Sequence, residues 1–369
     1  MLTYEYIIYI VITVLLHIGV LYLMKRKRTK YPLYGRHVVV TGGSQGIGLW
    51  AAIYSAQLGA HVTIIARNVD ALKKAKILIE ENCKEPNKEP FQKINYKSFD
   101  LSTSSYQDTC NMLDAVENEI TTPDGSPVPI YMLVNCAGMA ICGTIEDTSA
   151  EDAHKMMDLN YFGTYYPTRH CLTKMKKRKQ GIIVITASQA ALMGIYGYGA
   201  YGASKFALRG LAETIAMEAT HCGVSVTLAL PADTDTPGFA EEEKTKPKET
   251  KIISGSGGLA KPKDVAIQII DDALNKRFFS VSGVESWLLT FLCSGMAPWN
   301  GFILNLVIVL TIAPLKIVGK LIQWNFKRIV RNCAAEENKD IGNDMKTKET
   351  NSGAVRPKRR QYVEETSDK

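Results

Sequence analysis

A glycine-rich turn near the start of the chain constrains the fold more than any other feature. The β-branched run 37–41 is typical of a buried parallel strand, and an apolar helical pattern follows the turn as far as Leu58. Between them, residues 42–48 have the spacing Gly-x-x-x-Gly-x-Gly. A strand, a glycine turn and a helix in this order let backbone amides and a helix N-terminus hold a pyrophosphate. An ordinary turn is the alternative, but the position between strand and helix favours nucleotide binding.

The end of the second predicted strand indicates which dinucleotide is bound. This strand covers 62–66 and is followed by Arg67. A fold that binds NAD(H) places an acidic residue here, about twenty residues past the glycines, to accept the ribose 2′-hydroxyl. An arginine suits a 2′-phosphate instead. We therefore predict NADP(H), and the alternative is an exposed arginine that only covers a helix end.

Further strands follow at a regular rhythm. One predicted strand ends at Phe99-Asp100-Leu101, and two further strands cover 132–135 and 182–186, with helical patterns between them. Strands that alternate with helices predict an α/β fold with a doubly wound parallel sheet of the Rossmann type. Ligands then bind at the carboxyl ends of the strands. We place this catalytic domain at 35–280.

A tyrosine and a lysine one helical turn apart are the main candidates for chemistry. Tyr201 and Lys205 lie in an apolar helical pattern, so their side chains share one face. The lysine ammonium is expected to stabilise a phenolate and to lower the tyrosine pKa from its usual value of about 10. Such a tyrosine can transfer a proton near neutral pH. Taken alone, a pair of this kind is more often solvated helix surface.

Two further polar residues extend this candidate site. Ser188 follows the strand 182–186 and precedes Tyr201 by thirteen residues, so a loop can bring the two hydroxyl groups together. Asn160 lies in a mostly apolar helix, where a buried amide needs hydrogen-bond partners. We interpret it as either a structural hydrogen-bonder or part of a proton path.

Taken together, these motifs resemble the short-chain dehydrogenase/reductase family. The resemblance covers roughly 36–280 and rests on the segment 41–48, Asn135-Cys136-Ala137-Gly138, Asn160, Ser188 and Tyr201-x-x-x-Lys205, in this order. It implies that Tyr201 is the general acid/base and that Ser188 holds the substrate oxygen. It also implies that Lys205 lowers the tyrosine pKa and holds the nicotinamide ribose, and that Asn160 supports a proton-relay water. The cofactor-binding residues that it implies are Gly42, Ser44, Gln45, Gly46, Ile47, Gly48, Arg67, Asp100, Leu101, Asn135, Ala137, Gly138, Tyr201, Lys205, Pro231 and Thr234.

A narrower resemblance concerns the substrate. The segments 233–242 and 245–250, with apolar segments at both chain ends, are similar to the branch of this family that reduces the C3 ketone of 3-ketodihydrosphingosine to dihydrosphingosine with NADPH. The resemblance implies a long-chain sphingoid ketone as substrate. It also implies a location in the endoplasmic reticulum membrane, with the catalytic domain facing the cytosol. The alternatives are a reductase of another lipid ketone (a steroid, a retinoid or a 3-ketoacyl-CoA) and an inactive NADP-binding scaffold protein.

The segment 236–260 is the predicted substrate loop. It is long and charged, and we expect the charges of Glu241 to Glu243 and of Lys244 and Lys246 to lie on the outside of a lid that closes over a substrate. A solvated surface loop is the alternative.

The chain begins with an apolar segment. Residues 6–24 are almost continuously apolar, and Lys25 to Arg28 follow at once. About nineteen residues of helix cover a hydrocarbon core of roughly 30 Å, so we predict an N-terminal transmembrane helix and place a membrane anchor at 1–28. The positive-inside rule puts the following residues in the cytoplasm. A cleaved signal peptide is the alternative, but it needs positive charge before the apolar run and a small-residue cleavage site after it.

The C-terminal part of the chain is first apolar and then charged. The runs 287–297 and 302–315 are each shorter than the roughly twenty residues of a straight membrane span. We predict a membrane-associated hydrophobic hairpin at 286–318, and the alternative is a helix pair that packs on the domain or joins the subunits of a homo-oligomer. Residues 332–369 are charged and poor in large apolar residues, which predicts a disordered tail.

Charge and cysteine spacing favour some partners over others. The formal charge is +7, and most of its basic clusters flank apolar segments or lie in the tail, so a lipid bilayer with an anionic surface is a better partner than nucleic acid. The eight cysteines lack Cys-x-x-Cys and His-linked spacing. This pattern predicts reduced thiols and no metal site.

Overall fold

The computed structural model describes residues 32–83, 92–255, 258–293, 295–298 and 302–351. Within these residues, seven strands form one parallel sheet in the order β3-β2-β1-β4-β5-β6-β7. The strands are β1 (His37–Thr41), β2 (His61–Ala66), β3 (Ile94–Ser98), β4 (Ile130–Asn135), β5 (Gly181–Thr186), β6 (Val224–Ala229) and β7 (Phe279–Ser280). The α-helices are α1 (Gly46–Gln57), α2 (Val69–Glu80), α3 (Tyr106–Glu119), α4 (Ala150–Met156), α5 (Gly163–Arg178), α6 (Gly199–Glu218), α7 (Pro237–Thr245), α8 (Lys248–Gly255), α9 (Pro262–Leu274), α10 (Val284–Cys293) and α11 (Phe302–Asn351).

The strand order confirms the predicted doubly wound sheet. β1 pairs with β2 on one side and with β4 on the other. Thr41, the last residue of β1, pairs with Asn135, the last residue of β4. The carboxyl ends of these two strands therefore lie side by side at the topological switch point, where sheets of this kind bind ligands.

Two apolar layers cover the two faces of the sheet. Val39 packs in the layer that α3, α5 and α6 close, whereas Val38 and Val40 pack in the layer that α1, α2 and α9 close. This alternation follows from the two-residue period of a strand. Because the sheet is buried on both faces, its strands are nearly continuous apolar runs.

The two C-terminal apolar segments form α10 and the first part of α11, and both pack against the domain. Trp287 and Phe291 of α10 and Leu315 of α11 are buried in the same cluster as Phe279 of β7. This burial supports the alternative of a helix pair packed on the domain. Within the described residues, no helix combines the length and the apolar character that a bilayer crossing requires. The predicted N-terminal transmembrane helix lies outside the described residues.

The chain after Asn332 differs from the expected disordered tail. α11 continues through Asn351, Cys333 is buried, and Glu336 forms an ion pair of 2.6 Å with Lys248 of α8. Alanine, glutamate and lysine favour a helix by propensity even where large apolar side chains are missing. The expectation of disorder is therefore wrong as far as Asn351, and the remainder of the predicted tail lies outside the described residues.

Candidate active site

The glycine turn has the backbone geometry that its motif predicted. Gly42 and Gly46 have φ angles of +65° and +57°, a region that favours glycine. A Cβ atom on Gly42 would lie 2.8 Å from the backbone nitrogen of Ala137, and one on Gly48 would lie 2.3 Å from the carbonyl oxygen of Gly42. Since the atoms that would clash belong to the backbone, these positions need glycine, and the turn packs tightly against the end of β4.

The turn leads into the N-terminus of α1, which presents amide groups to a ligand. An α-helix leaves its first amides without intrahelical partners, and the N-cap residue Gln45 gives them no side-chain hydrogen bond. No acidic residue lies in the first turn. Such a helix end attracts a phosphate through its amides and its dipole. The geometry therefore fits the pyrophosphate-binding role that we predict for the segment 42–48.

Arg67 and Asp100 lie at the ends of β2 and β3. The guanidinium of Arg67 is 67% exposed, and its Nη1 atom lies 4.0 Å from Oδ2 of Asp100. The other carboxylate oxygen of Asp100 accepts hydrogen bonds from the backbone nitrogen and the hydroxyl of Ser102, at 2.9 and 2.6 Å. Arg67 is thus only weakly paired and remains accessible to a phosphate, as the prediction of NADP(H) requires.

Ser188, Tyr201 and Lys205 meet at the carboxyl ends of the central strands. The Ser188 hydroxyl lies close enough to the Tyr201 phenol to act on its pKa. The Nζ atom of Lys205 lies 5.7 Å from the centroid of the Tyr201 ring and donates to the carbonyl oxygen of Thr186 at 3.2 Å. Tyr201 and Lys205 share one face of α6, and Ser188 follows β5. The predicted spatial convergence of these three residues is present.

The pKa of Tyr201 shifts in the direction opposite to our prediction. Burial raises this pKa above its usual value and the carboxylate of Glu242 raises it further, whereas the Ser188 hydroxyl acts against both. Burial also lowers the pKa of Lys205 to about 8. The predicted net lowering of the Tyr201 pKa is therefore not seen, because desolvation of the phenol dominates, while the Lys205 ammonium donates to a carbonyl oxygen. At neutral pH, Tyr201 is a neutral phenol and thus a proton donor.

Asn160 lies in a π-helix, Met157–Phe162, and is fully buried. Its Oδ1 atom accepts from the backbone nitrogen of Met139 at 2.8 Å. Its Nδ2 atom donates to the Met139 carbonyl and to the Ser204 hydroxyl, each at 2.9 Å. The side chain is thus a structural hydrogen-bonder that ties the loop after β4 to α6. Its part in a proton path stays a prediction.

The two ends of the segment 135–138 face different surroundings. The side-chain amide of Asn135 donates to the Thr168 hydroxyl and to the Val184 carbonyl, both at 3.1 Å, so this side chain serves the core. Gly138 lies at the site, where a Cβ atom would be 3.4 Å from Nζ of Lys205. A glycine at 138 therefore keeps the approach to Lys205 open.

Ser188, Tyr201 and Lys205 lie in the wall of a cavity of about 1360 Å³. The predicted site residues that line it are Ile47, Gly138, Ser188, Tyr201, Lys205, Pro231 and Thr234. The predicted site residues that do not line it are Gly42, Ser44, Gln45, Gly46, Gly48, Arg67, Asp100, Leu101, Asn135, Ala137 and Asn160. The structure therefore separates the predicted residues into those at the cavity and those that form the nucleotide-binding turn, the ends of β2 and β3, or the core.

The C-terminal helices form an apolar part of the cavity wall. The lining residues from α10 and α11 include Leu288, Leu289, Leu292, Leu315, Val318 and Leu321. Cavities that combine a large apolar lining with a few convergent polar groups are typical of small-molecule sites. This cavity suits a ligand with one polar end and a hydrocarbon part.

Comparison with known proteins agrees with the motifs and the fold. A family model described as short chain dehydrogenase matches residues 36–247. The chain belongs to the short-chain dehydrogenase family. A 3-ketodihydrosphingosine reductase of Bos taurus is 42% identical over 83% of this chain and 89% of its own. A 3-dehydrosphinganine reductase of Danio rerio is 40% identical over 82% and 87%. Among solved structures, a short chain dehydrogenase from Escherichia coli complexed with NADPH shares the fold, with a TM-score of 0.57 and 23% identity over 69% of this chain and 98% of its own.

Two residues in the cavity wall of this short-chain dehydrogenase, Tyr198 and Glu242, escaped the sequence reasoning. The predicted substrate loop 236–260 contains α7 and α8, and Glu241 does face solvent, where it pairs with Lys244. Glu242, however, lines the cavity and accepts a hydrogen bond of 2.5 Å from the hydroxyl of Tyr198. The expectation that these charges lie outside is therefore wrong for Glu242 and also for Lys246, whose fully buried side chain pairs with Asp233, Glu242 and Glu243. The pairing of Glu242 with Lys246, four residues later, is a signal that could have identified an inward-facing charge.

Proposed function

We propose that this protein reduces the C3 ketone of 3-ketodihydrosphingosine to dihydrosphingosine with NADPH, a step of sphingolipid synthesis. The relatives at 42% and 40% identity are named for this substrate. One structural observation carries the proposal. Ser188, Tyr201 and Lys205 line the same cavity as the apolar residues of α10 and α11. The polar groups suit ketone reduction, and the apolar wall suits a long hydrocarbon chain.

NADPH supplies the hydride in this reaction. The glycine turn fits its pyrophosphate, because Gly42 and Gly48 bring the backbone close to the helix N-terminus where side chains would clash. Arg67 would hold the 2′-phosphate that distinguishes NADPH from NADH. Lys205, which lines the cavity beside Gly138, would hold the nicotinamide ribose.

The protein residues supply a proton and stabilise charge. Tyr201 donates the proton to the carbonyl oxygen as negative charge develops there, and its raised pKa keeps it protonated until that moment. The hydroxyl of Ser188, which lies close to the same phenol, holds the substrate oxygen. Lys205 has a pKa of about 8, so it still carries its charge at neutral pH and stabilises the phenolate left behind.

A reductase of another membrane-borne ketone is the second candidate. The apolar wall formed by α10 and α11 also suits a steroid, a retinoid or a 3-ketoacyl-CoA. The convergence of Ser188, Tyr201 and Lys205 argues against the third candidate, an inactive NADP-binding scaffold.

The proposal includes a membrane location. We propose that residues 1–28 anchor the enzyme in the endoplasmic reticulum membrane with the catalytic domain in the cytosol, which the apolar run 6–24 and the basic residues after it support. Exposed apolar side chains on α11 are consistent with a nearby bilayer, and they include Val309, Ile317, Leu321 and Trp324. An anchored enzyme stays at the surface into which its long-chain substrate partitions. Protease protection of tags at the two termini tests this topology.

Product formation by the purified full chain tests the activity. The enzyme is incubated with 3-ketodihydrosphingosine and either NADPH or NADH, and dihydrosphingosine is measured by mass spectrometry. A parallel panel contains a steroid ketone, a retinal and a 3-ketoacyl-CoA. We expect the sphingoid ketone with NADPH to give the highest kcat/KM. Faster turnover of another ketone would move the assignment to that substrate, and no turnover despite NADPH binding would favour the scaffold.

A further inference from the structure

Glu242 places a carboxylate in the cavity wall close to Tyr201. It lies on α7, and its side chain is 13% exposed. Its Oε1 atom accepts the hydrogen bond from the Tyr198 hydroxyl at 2.5 Å. The Tyr198 ring in turn packs edge-on against the Tyr201 ring, with centroids 5.2 Å apart. One aromatic side chain therefore links this carboxylate to the proposed proton donor.

Glu242 belongs to a cluster of carboxylates around one buried ammonium. The Nζ atom of Lys246 lies 2.7 Å from Glu243, 3.1 Å from Glu242 and 3.3 Å from Asp233. The Lys246 side chain is fully buried (0% exposed), so three carboxylates share one buried ammonium. Lys251 adds a longer contact of 3.7 Å, but only to Glu243. Glu242 and Asp233 are the two carboxylates of this group that line the cavity, and Glu242 also interacts electrostatically with Lys205.

The Glu242 carboxylate has capacity for another partner. The hydrogen bond from Tyr198 and the shortest contact with Lys246 both fall on Oε1. Among the described residues, no hydrogen bond to Oε2 is present. An ionised carboxylate accepts at about four lone-pair positions, and it favours a cationic donor in a largely buried setting. The free oxygen thus suits a cationic group of whatever molecule occupies the cavity.

The substrate of the proposed function carries such a group. 3-Ketodihydrosphingosine has an amino group on the carbon next to its ketone, and this group is an ammonium when protonated. A ketone oxygen held by Ser188 and Tyr201 brings the neighbouring carbon to the same part of the cavity. We propose that Glu242 binds the ammonium group of the substrate and so selects an amino ketone over a plain lipid ketone. This inference rests on the proposed function and adds the residue that recognises the substrate head group.

A purely structural role for Glu242 makes a different prediction. If the carboxylate only holds Tyr198 and Lys246 in place, its loss should reduce turnover of every ketone by a similar factor. If it also binds the ammonium, its loss should reduce turnover of a substrate that has one more strongly than turnover of a substrate that has none. The ratio of kcat/KM between two otherwise identical ketones therefore separates the two roles.

The experiment compares Glu242→Gln with the wild-type full chain on two substrates. One substrate is 3-ketodihydrosphingosine, and the other is the same long-chain hydroxyketone without the amino group. Glutamine keeps an oxygen for Tyr198, and Lys246 keeps Asp233 and Glu243, so we expect the variant to fold. Glu241→Gln is the matched control, since Glu241 is the neighbouring carboxylate, is 71% exposed and pairs with Lys244. A thermal shift on NADPH binding checks the fold of each variant.

We expect wild type to favour the amino ketone by about 10- to 100-fold in kcat/KM, the usual worth of a hydrogen bond to a charged group. Glu242→Gln should lose most of this preference, because any change that the lost charge makes to the Tyr201 pKa affects both ketones alike, and Glu241→Gln should resemble wild type.

Three results would overturn the inference. An equal kcat/KM of the wild type for the two ketones would overturn it directly, whatever the variants show. An equal loss on both substrates in Glu242→Gln would assign the residue a structural role only. A wild type that reduces neither ketone would remove the proposed function, and the inference with it, so the two failures can be told apart.

Discussion

The nucleotide end and the substrate end of this site are built in different ways. The nucleotide end is local, because β1, the glycine turn and α1 follow one another directly in the chain. The substrate end combines α6 and α7 with α10 and α11, which come from a later part of the chain and complete the wall of the cavity. The first end depends on backbone geometry at a few glycines, whereas the second depends on side chains brought together by the fold.

This difference shows where generality and specificity lie. The family model matches residues 36–247 and so includes the whole nucleotide end. α10 and α11 lie beyond that match, but the Bos taurus relative aligns over 307 residues, a longer stretch than the family match. We infer that the first end and the catalytic groups supply the reaction, and that the second end selects the ketone. Variants at the two ends should therefore fail in distinguishable ways.

The largest effect is expected at the catalytic group that both ends share. Tyr201→Phe removes the proton donor, so kcat should fall by about 1000-fold for every ketone, within the usual range for general acid catalysis. NADPH binding should survive, because the turn and Arg67 are untouched. Steady-state rates and NADPH fluorescence titration measure the two properties. Tyr196→Phe, at an exposed tyrosine nearby, is the control. Normal turnover by Tyr201→Phe would exclude this phenol from the mechanism.

A change at the nucleotide end should alter cofactor choice without altering substrate choice. Arg67→Ala should raise the KM for NADPH by about 10- to 100-fold, because a charge-assisted contact to the 2′-phosphate is lost. The KM for NADH should change little, since NADH has no such phosphate. Lys97→Ala on the neighbouring strand β3 removes a similar surface charge as a control. Equal losses with both cofactors would argue against the phosphate contact.

A change at the substrate end should alter substrate choice without altering cofactor choice. Leu321 lines the cavity yet is 53% exposed, so Leu321→Asp should leave the fold intact while it puts a charge in the apolar wall. We expect kcat/KM for the long-chain ketone to fall by about tenfold, the worth of one poorly buried apolar contact. A short-chain amino ketone should be unaffected, and Lys320→Asp on the same helix is the control. If both chain lengths lost activity equally, α11 would not bind the hydrocarbon chain.

The same contrast explains how much the sequence alone could predict. Strand periodicity and glycine spacing are local signals, and they were enough for the parallel sheet, the turn and the positions of Ser188, Tyr201 and Lys205. Glu242 was placed on the wrong side of its helix, because its orientation depends on Tyr198 and Lys246 packing around it. The direction of the Tyr201 pKa was also missed. A spacing of four residues shows that Lys205 is near, but not that burial and Glu242 outweigh it.

The smallest predicted effect lies in the sheet itself, where it tests whether the fold can weaken independently of the site. His37 of β1 is fully buried, its Nε2 atom lies 2.9 Å from the Thr63 hydroxyl, and burial lowers its pKa from 6.5 to about 4. The folded state therefore favours the neutral imidazole, so this contribution to stability is complete above pH 6.5 and is lost as the pH falls towards 4. Burial also lowers the pKa of the neighbouring His61.

Between pH 7 and pH 5.5 we expect His37 alone to reduce the free energy of unfolding by about 1 kcal/mol. Urea denaturation of wild type and of His37→Gln at both pH values isolates the contribution of His37 to the free energy of unfolding, because the variant cannot titrate at this position. An identical pH dependence in the two proteins would show that His37 does not couple protonation to the stability of the sheet.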